Sequence, residues 1–128
     1  MREEVINLIE QAKKDLEVAG KNFNLEEYYI SAFLCQQAVE KFLKAFFIAK
    51  KGKSSGPTHS LIYLAKETGV PKNFYNFLGS LTPEFIITRY PDVAGDAPYK
   101  LYHKDKVSIY IAKTKELIEW LEEQMKKL

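Results

Sequence analysis

A few side chains of this sequence have the types and spacing needed to handle a phosphate. Lys41 and Lys44 lie in the stretch Gln37-Ala38-Val39-Glu40-Lys41-Phe42-Leu43-Lys44. On a helix both ammonium groups leave the same side, and Glu40 can pair with Lys44 at i, i+4. His59 opens a second segment at Thr58-His59, where an imidazole can meet either a ligand or the free amides of a helix start. Arg89, one of 2 arginines in a chain with 17 lysines, stands in Thr88-Arg89-Tyr90-Pro91-Asp92. Its planar guanidinium can grip a phosphate bidentately, or pair internally with Asp92 or Glu40. Tyr90 beside it can stack on a base or simply pack. Each residue also has a plain role: a solvated helix face for Glu40, Lys41 and Lys44, a helix start for His59, and a salt bridge for Arg89.

Other chemistries find no support in the sequence. Two histidines in unrelated segments and one cysteine in an apolar run supply no metal-ligand set, so neither metal nor cofactor is expected. No Ser-His-Asp or Cys-His constellation can be assembled, and Cys35 reads as a small apolar filler. Gly52-Lys53-Ser54 echoes the end of a phosphate-binding P-loop, but Phe47 stands where the motif requires glycine and a helix precedes it instead of a strand.

At 128 residues and 46% hydrophobic, the chain suits a single domain over residues 1–128 with one core. A net charge of +2 gives no general attraction to nucleic acid, which leaves any such binding to a local patch. A single cysteine excludes an internal disulfide, and no stretch has the length of a membrane span or the features of a signal peptide. A cytoplasmic protein without membrane contact is the expectation.

The elements that must position the polar residues are helical. Val5, Leu8, Ile9, Ala12, Leu16 and Ala19 recur at helical spacing from Glu3 to Ala19, with Gly20 as the expected stop. Asn24, with Glu27 three residues on, predicts a capping box opening a second helix from Leu25 to Lys51. That helix is apolar around most of its circumference and must be central. Thr58 is expected to cap a short helix over 60–68, ended by Gly69. Another short helix should run from Pro71 to Leu81, and Thr82-Pro83-Glu84 should cap one that delivers Arg89. Residues 90–102, rich in proline and glycine, read as an irregular connection anchored by its aromatics. A last helix spans 104–127. With no strand-like alternation, the fold class is all-α, an antiparallel bundle of about five helices.

The run Gln36-Gln37-Ala38-Val39-Glu40-Lys41-Phe42-Leu43-Lys44-Ala45, with Thr58-His59 and Arg89-Tyr90-Pro91-Asp92, resembles the HEPN family of small helical domains, and the similarity extends along nearly the whole chain. The resemblance implies a bundle like the helical domain of kanamycin nucleotidyltransferase, a homodimer, and a place beside a minimal nucleotidyltransferase in toxin-antitoxin-like pairs. Ribonuclease members of the family carry Arg followed after four to six residues by His. Here Arg89 meets no histidine before His103, so a catalytic activity of the chain's own is not expected. The resulting expectation is a nucleotide- or nucleic-acid-binding module, with Lys41, Lys44, His59, Arg89 and Tyr90 converging on one cleft while Glu40 and Asp92 orient them. A structural dimerisation scaffold and a metal-independent ribonuclease with a non-standard Arg/His site are the alternatives. Trp120 is the expected interface aromatic of a homodimer.

Overall fold

The computed structural model describes residues 2–128. Among them there is no β-strand, and three long helices carry the fold: α1 (Glu3–Asn24), α2 (Tyr28–Lys51) and α7 (Lys104–Lys126). Between α2 and α7 come α3 (Leu61–Thr68), a 3-10 turn (Lys72–Phe74), α4 (Tyr75–Leu81), α5 (Glu84–Ile87), α6 (Pro91–Ala94) and a second 3-10 turn (Pro98–Leu101). Among the described residues no helix is long and apolar enough to cross a membrane.

Helix α2 is the centre, as its composition requires. Ala32, Cys35, Val39, Phe42, Leu43, Phe46 and Phe47 are all buried, and α1, α7, α3 and α5 pack around it. The Cys35 thiol is pushed up to about 12 by burial, which makes it inert as a nucleophile.

Several sequence expectations about helix ends are corrected. Helix α1 does not stop at Gly20 but continues to Asn24. A glycine inside a helix costs only about 1 kcal/mol, and tertiary contacts offset it. Ala19 is fully buried, its carbonyl accepts from Ser31 Oγ at 2.8 Å, and Phe23 meets Tyr28 edge-on. The stop lies at Glu26, which takes the left-handed conformation at φ 63°. The amides of Glu26 and Glu27 then bond back to Phe23 and Asn22, the pattern of a Schellman ending. Asn24 is therefore the last residue of α1 and no capping box forms; α2 begins at Tyr28 with no side-chain cap.

At α3 the cap is Ser60, whose hydroxyl accepts from the Tyr63 amide, while Thr58 serves the Ser60 amide one step earlier. Pro71 precedes a 3-10 turn and is not itself in the first turn of α4. Thr82 is the C-cap of α4, not the N-cap of α5: its hydroxyl donates to the Leu78 carbonyl and accepts from the Leu61 amide. The 90–102 segment is not wholly irregular, since α6 and a 3-10 turn occupy most of it. Of its aromatics, Tyr102 is buried and donates to Glu84 Oε1 at 3.0 Å. Tyr90 and Tyr99 stand exposed.

Candidate functional site

The polar residues of α2 form a continuous hydrogen-bonded chain. At one end Asp15, on α1, accepts from Gln11 at 2.8 Å and from Lys41 at 2.5 Å. Lys41 also donates to Gln37, Gln37 donates to Gln36 at 2.7 Å, and Gln36 donates to Glu40 Oε1 at 2.9 Å. At the other end, Lys44 Nζ lies 3.2 Å from Glu40 Oε2 and His59 Nδ1 lies 2.9 Å from Glu40 Oε1. Gln36 is wholly buried and Glu40 nearly so. A buried carboxylate is tolerable only where its oxygens are bonded, and here both are.

His59 is fixed twice. Glu40 holds Nδ1, and the imidazole stacks on Phe85 with ring centroids 4.4 Å apart. Because a carboxylate oxygen accepts, Nδ1 is the donor of this pair, and Nε2 has no hydrogen-bond partner among the described residues. Half of the side chain is exposed, 49%. The same Phe85 offers its carbonyl to Arg89 Nε at 2.6 Å. Arg89's guanidinium also lies 5.3 Å from the ring centroids of both Phe33 and Tyr90. Phe85 thus joins Arg89 to the Glu40, Lys44 and His59 cluster.

Three residues sit differently from the sequence expectation. Lys41 turns to α1, because Asp15 is a nearly buried carboxylate within its reach. Asp92 falls in the first turn of α6, where the helix end favours its charge, and among the described residues it makes no ion pair with Arg89. The expected internal partner of Arg89, Asp92 or Glu40, is absent from the described ion pairs, so the terminal guanidinium nitrogens are uncommitted. Arg89 lines a cleft of about 320 Å³ with Glu27, Tyr29, Thr88, Pro98 and Tyr99; Lys41, Lys44 and His59 are not in its walls. A larger cavity, about 390 Å³, lies elsewhere, bordered by Arg2, Ile48 and Met125.

Asp15, Gln36, Phe33 and Phe85 are the residues that sequence reasoning missed. Asp15 carried a signal, since it occupies the apolar register of α1 between Ala12 and Ala19, where a carboxylate needs a buried partner. Phe85 carried none, because its role comes from a contact with a residue 26 positions away. Among the described residues no group of His, Cys, Asp or Glu could hold a metal ion.

The sequence matches the HEPN domain family over residues 5–124. Among solved structures, the chain is similar to TT1696 from Thermus thermophilus, at 26% identity and TM-score 0.85, over 95% of this chain and 98% of that one. It is also similar to ST0689, described as an archaeal HEPN homologue, at 28% identity and TM-score 0.81, over 98% of this chain and 99% of that one. No curated protein matches it.

Proposed function

This chain belongs to the HEPN domain family, and we propose that it is a nucleotide- or nucleic-acid-binding helical module that recognises phosphate through Arg89, His59 and Lys44, with Tyr90 beside them. The observation that carries this reading is the state of Arg89. Its Nε is anchored on the Phe85 carbonyl and its plane lies near two aromatic rings, while no carboxylate among the described residues occupies its terminal nitrogens. A preoriented, unpaired guanidinium is what bidentate phosphate contact needs. Lys44 adds a second cation on Glu40, and His59, held by the same Glu40 and stacked on Phe85, can donate to phosphate from Nε2 in its protonated form. Lys41 contributes by fastening α1 to α2.

Titration calorimetry with 5′-mononucleotides tests this reading. The wild-type protein should bind, and Arg89→Ala should lose about 1 to 3 kcal/mol of binding, the range of a charge-assisted hydrogen bond. Failure of every mononucleotide and of short oligoribonucleotides to bind would overturn it.

Family kinship supports two further parts of the proposal: the module pairs with a second copy of itself, and it works beside a separate minimal nucleotidyltransferase chain in a toxin-antitoxin-like pair. Trp120 remains the proposed interface aromatic. Its ring meets Phe46 edge-on and is only partly covered. A second reading, metal-independent cleavage of RNA, is favoured by one observation. Glu40 holds the half-exposed His59 by Nδ1, which leaves Nε2 as the acceptor a proton-transferring imidazole requires. RNA left intact by the purified protein would exclude it.

A further inference from the structure

The cleft beside Arg89 has walls with a chemistry of its own. It lies between the start of α2, with Tyr29 and the preceding Glu27, the residues that follow α5, Thr88 and Arg89, and the second 3-10 turn, which supplies Pro98 and Tyr99. Tyr29, Pro98 and Tyr99 give it flat apolar surfaces. Tyr99 is 62% exposed, an aromatic ring left where a planar group can cover it. Its polar groups are few and differ in availability. The Thr88 hydroxyl is spent on the Glu84 carbonyl. Glu27 stands at the N-cap of α2 without using its side chain as a cap, and its carboxylate has no hydrogen bond or ion pair among the described residues. Arg89 also lines the cleft and is tied to Phe85, the residue on which His59 stacks.

The geometry points to this cleft as a binding site for the guanine base of a nucleotide, with Glu27 as the residue that reads it. The inference rests on the phosphate reading above, since Arg89 would hold the phosphate of the same ligand. A carboxylate only accepts, and it offers two parallel oxygens. Guanine alone among the four bases presents two adjacent donors on its pairing edge, N1–H and N2–H. Adenine and cytosine present one amino group beside a ring nitrogen whose lone pair would face the second oxygen. Uracil presents one N–H between two carbonyls. Stacking on the tyrosine faces is indifferent to the base, so Glu27 supplies the discrimination and the aromatic walls supply contact area.

The experiment titrates the full chain with GMP, AMP, CMP and UMP, and with the tetraribonucleotides UUGU and UUAU. GMP should bind about tenfold or more tighter than the others, the scale of one bidentate base contact. Glu27→Gln should equalise the four by weakening GMP without weakening AMP, and Tyr99→Ala should weaken all of them. Preference confined to UUGU would assign the guanine to single-stranded RNA, and preference already present in GMP would assign it to a free nucleotide. Four equal affinities in the wild type, or a guanine preference that survives Glu27→Gln, would overturn the inference and leave the phosphate reading standing. If no nucleotide binds at all, both fall. Glu27 is exposed and its replacement by glutamine is isosteric, so loss of folding does not confuse the result.

Discussion

Asp15 and Glu40 are two nearly buried carboxylates at opposite ends of one hydrogen-bonded chain, and they face different worlds. Asp15 is closed in: Lys41 takes one oxygen, and Gln11 takes the other. Glu40 opens outward through its histidine alone: Lys44, as covered as Lys41, shields one oxygen, and the other holds a half-exposed His59 that leads through Phe85 to Arg89. The same residue types therefore do two jobs. The inner pair joins α1 to α2, whereas the outer cluster holds donors in place for something outside the protein. A lysine three positions along one helix passes from structural clasp to ligand donor according to which carboxylate lies in reach.

That comparison can be broken by substitution. Asp15→Ala strands the Lys41 ammonium and should destabilise the fold by about 2 to 3 kcal/mol in urea denaturation, below the cost of a fully buried pair because Lys41 retains some water. Nucleotide affinity should not change. Glu40→Gln should cost less, about 1 kcal/mol, since Lys44 and His59 can turn to solvent, but it should weaken binding by freeing His59. If Asp15→Ala weakens binding as much as Glu40→Gln does, the division between the two ends is wrong.

The smallest effect concerns Glu84, a third buried carboxyl, which sets the contrast in relief. It is 2% exposed, and Oε2 has no hydrogen-bond partner among the described residues. Burial raises its pKa above the ordinary 4.5, against the opposing pull of Lys106 and of the Tyr102 hydrogen bond. The folded protein therefore keeps this proton at pH values where the unfolded chain has released it. Its contribution to stability is complete below pH 4.5 and is lost as pH rises through the raised value. Thermal melts across that window should show wild-type stability falling with pH relative to Glu84→Gln, which has no proton to lose. Parallel curves would show that the carboxyl ionises freely in the fold.

Much of this architecture was legible in the sequence, for identifiable reasons. Helices α2 and α7 declare themselves because their apolar residues recur over many turns, and the Gln-Gln-Ala-Val-Glu-Lys run marks the polar face that became the network. The α1–α2 turn was misread because Gly20 and Asn24 are strong local signals outweighed by the packing of Ala19, Ser31 and Phe23, while the left-handed stop fell on Glu26, a residue type that seldom takes it. The candidate site divides in the same way. Glu40 with Lys44 follows from helical spacing. The turning of Lys41 toward Asp15, the stacking of His59 on Phe85 and the placement of Arg89 near Phe33 depend on contacts distant in the chain, which spacing does not encode.

The most direct test is NMR mapping with GMP titrated into the labelled wild-type protein. The site described here predicts shifts concentrated at Lys44, His59, Phe85 and Arg89 and at the cleft residues Glu27 and Tyr99, including the His59 ring signals, with Asp15 and Lys41 unmoved. Shifts centred instead on the cavity bordered by Arg2, Ile48 and Met125, or spread evenly with Arg89 and His59 silent, would contradict it.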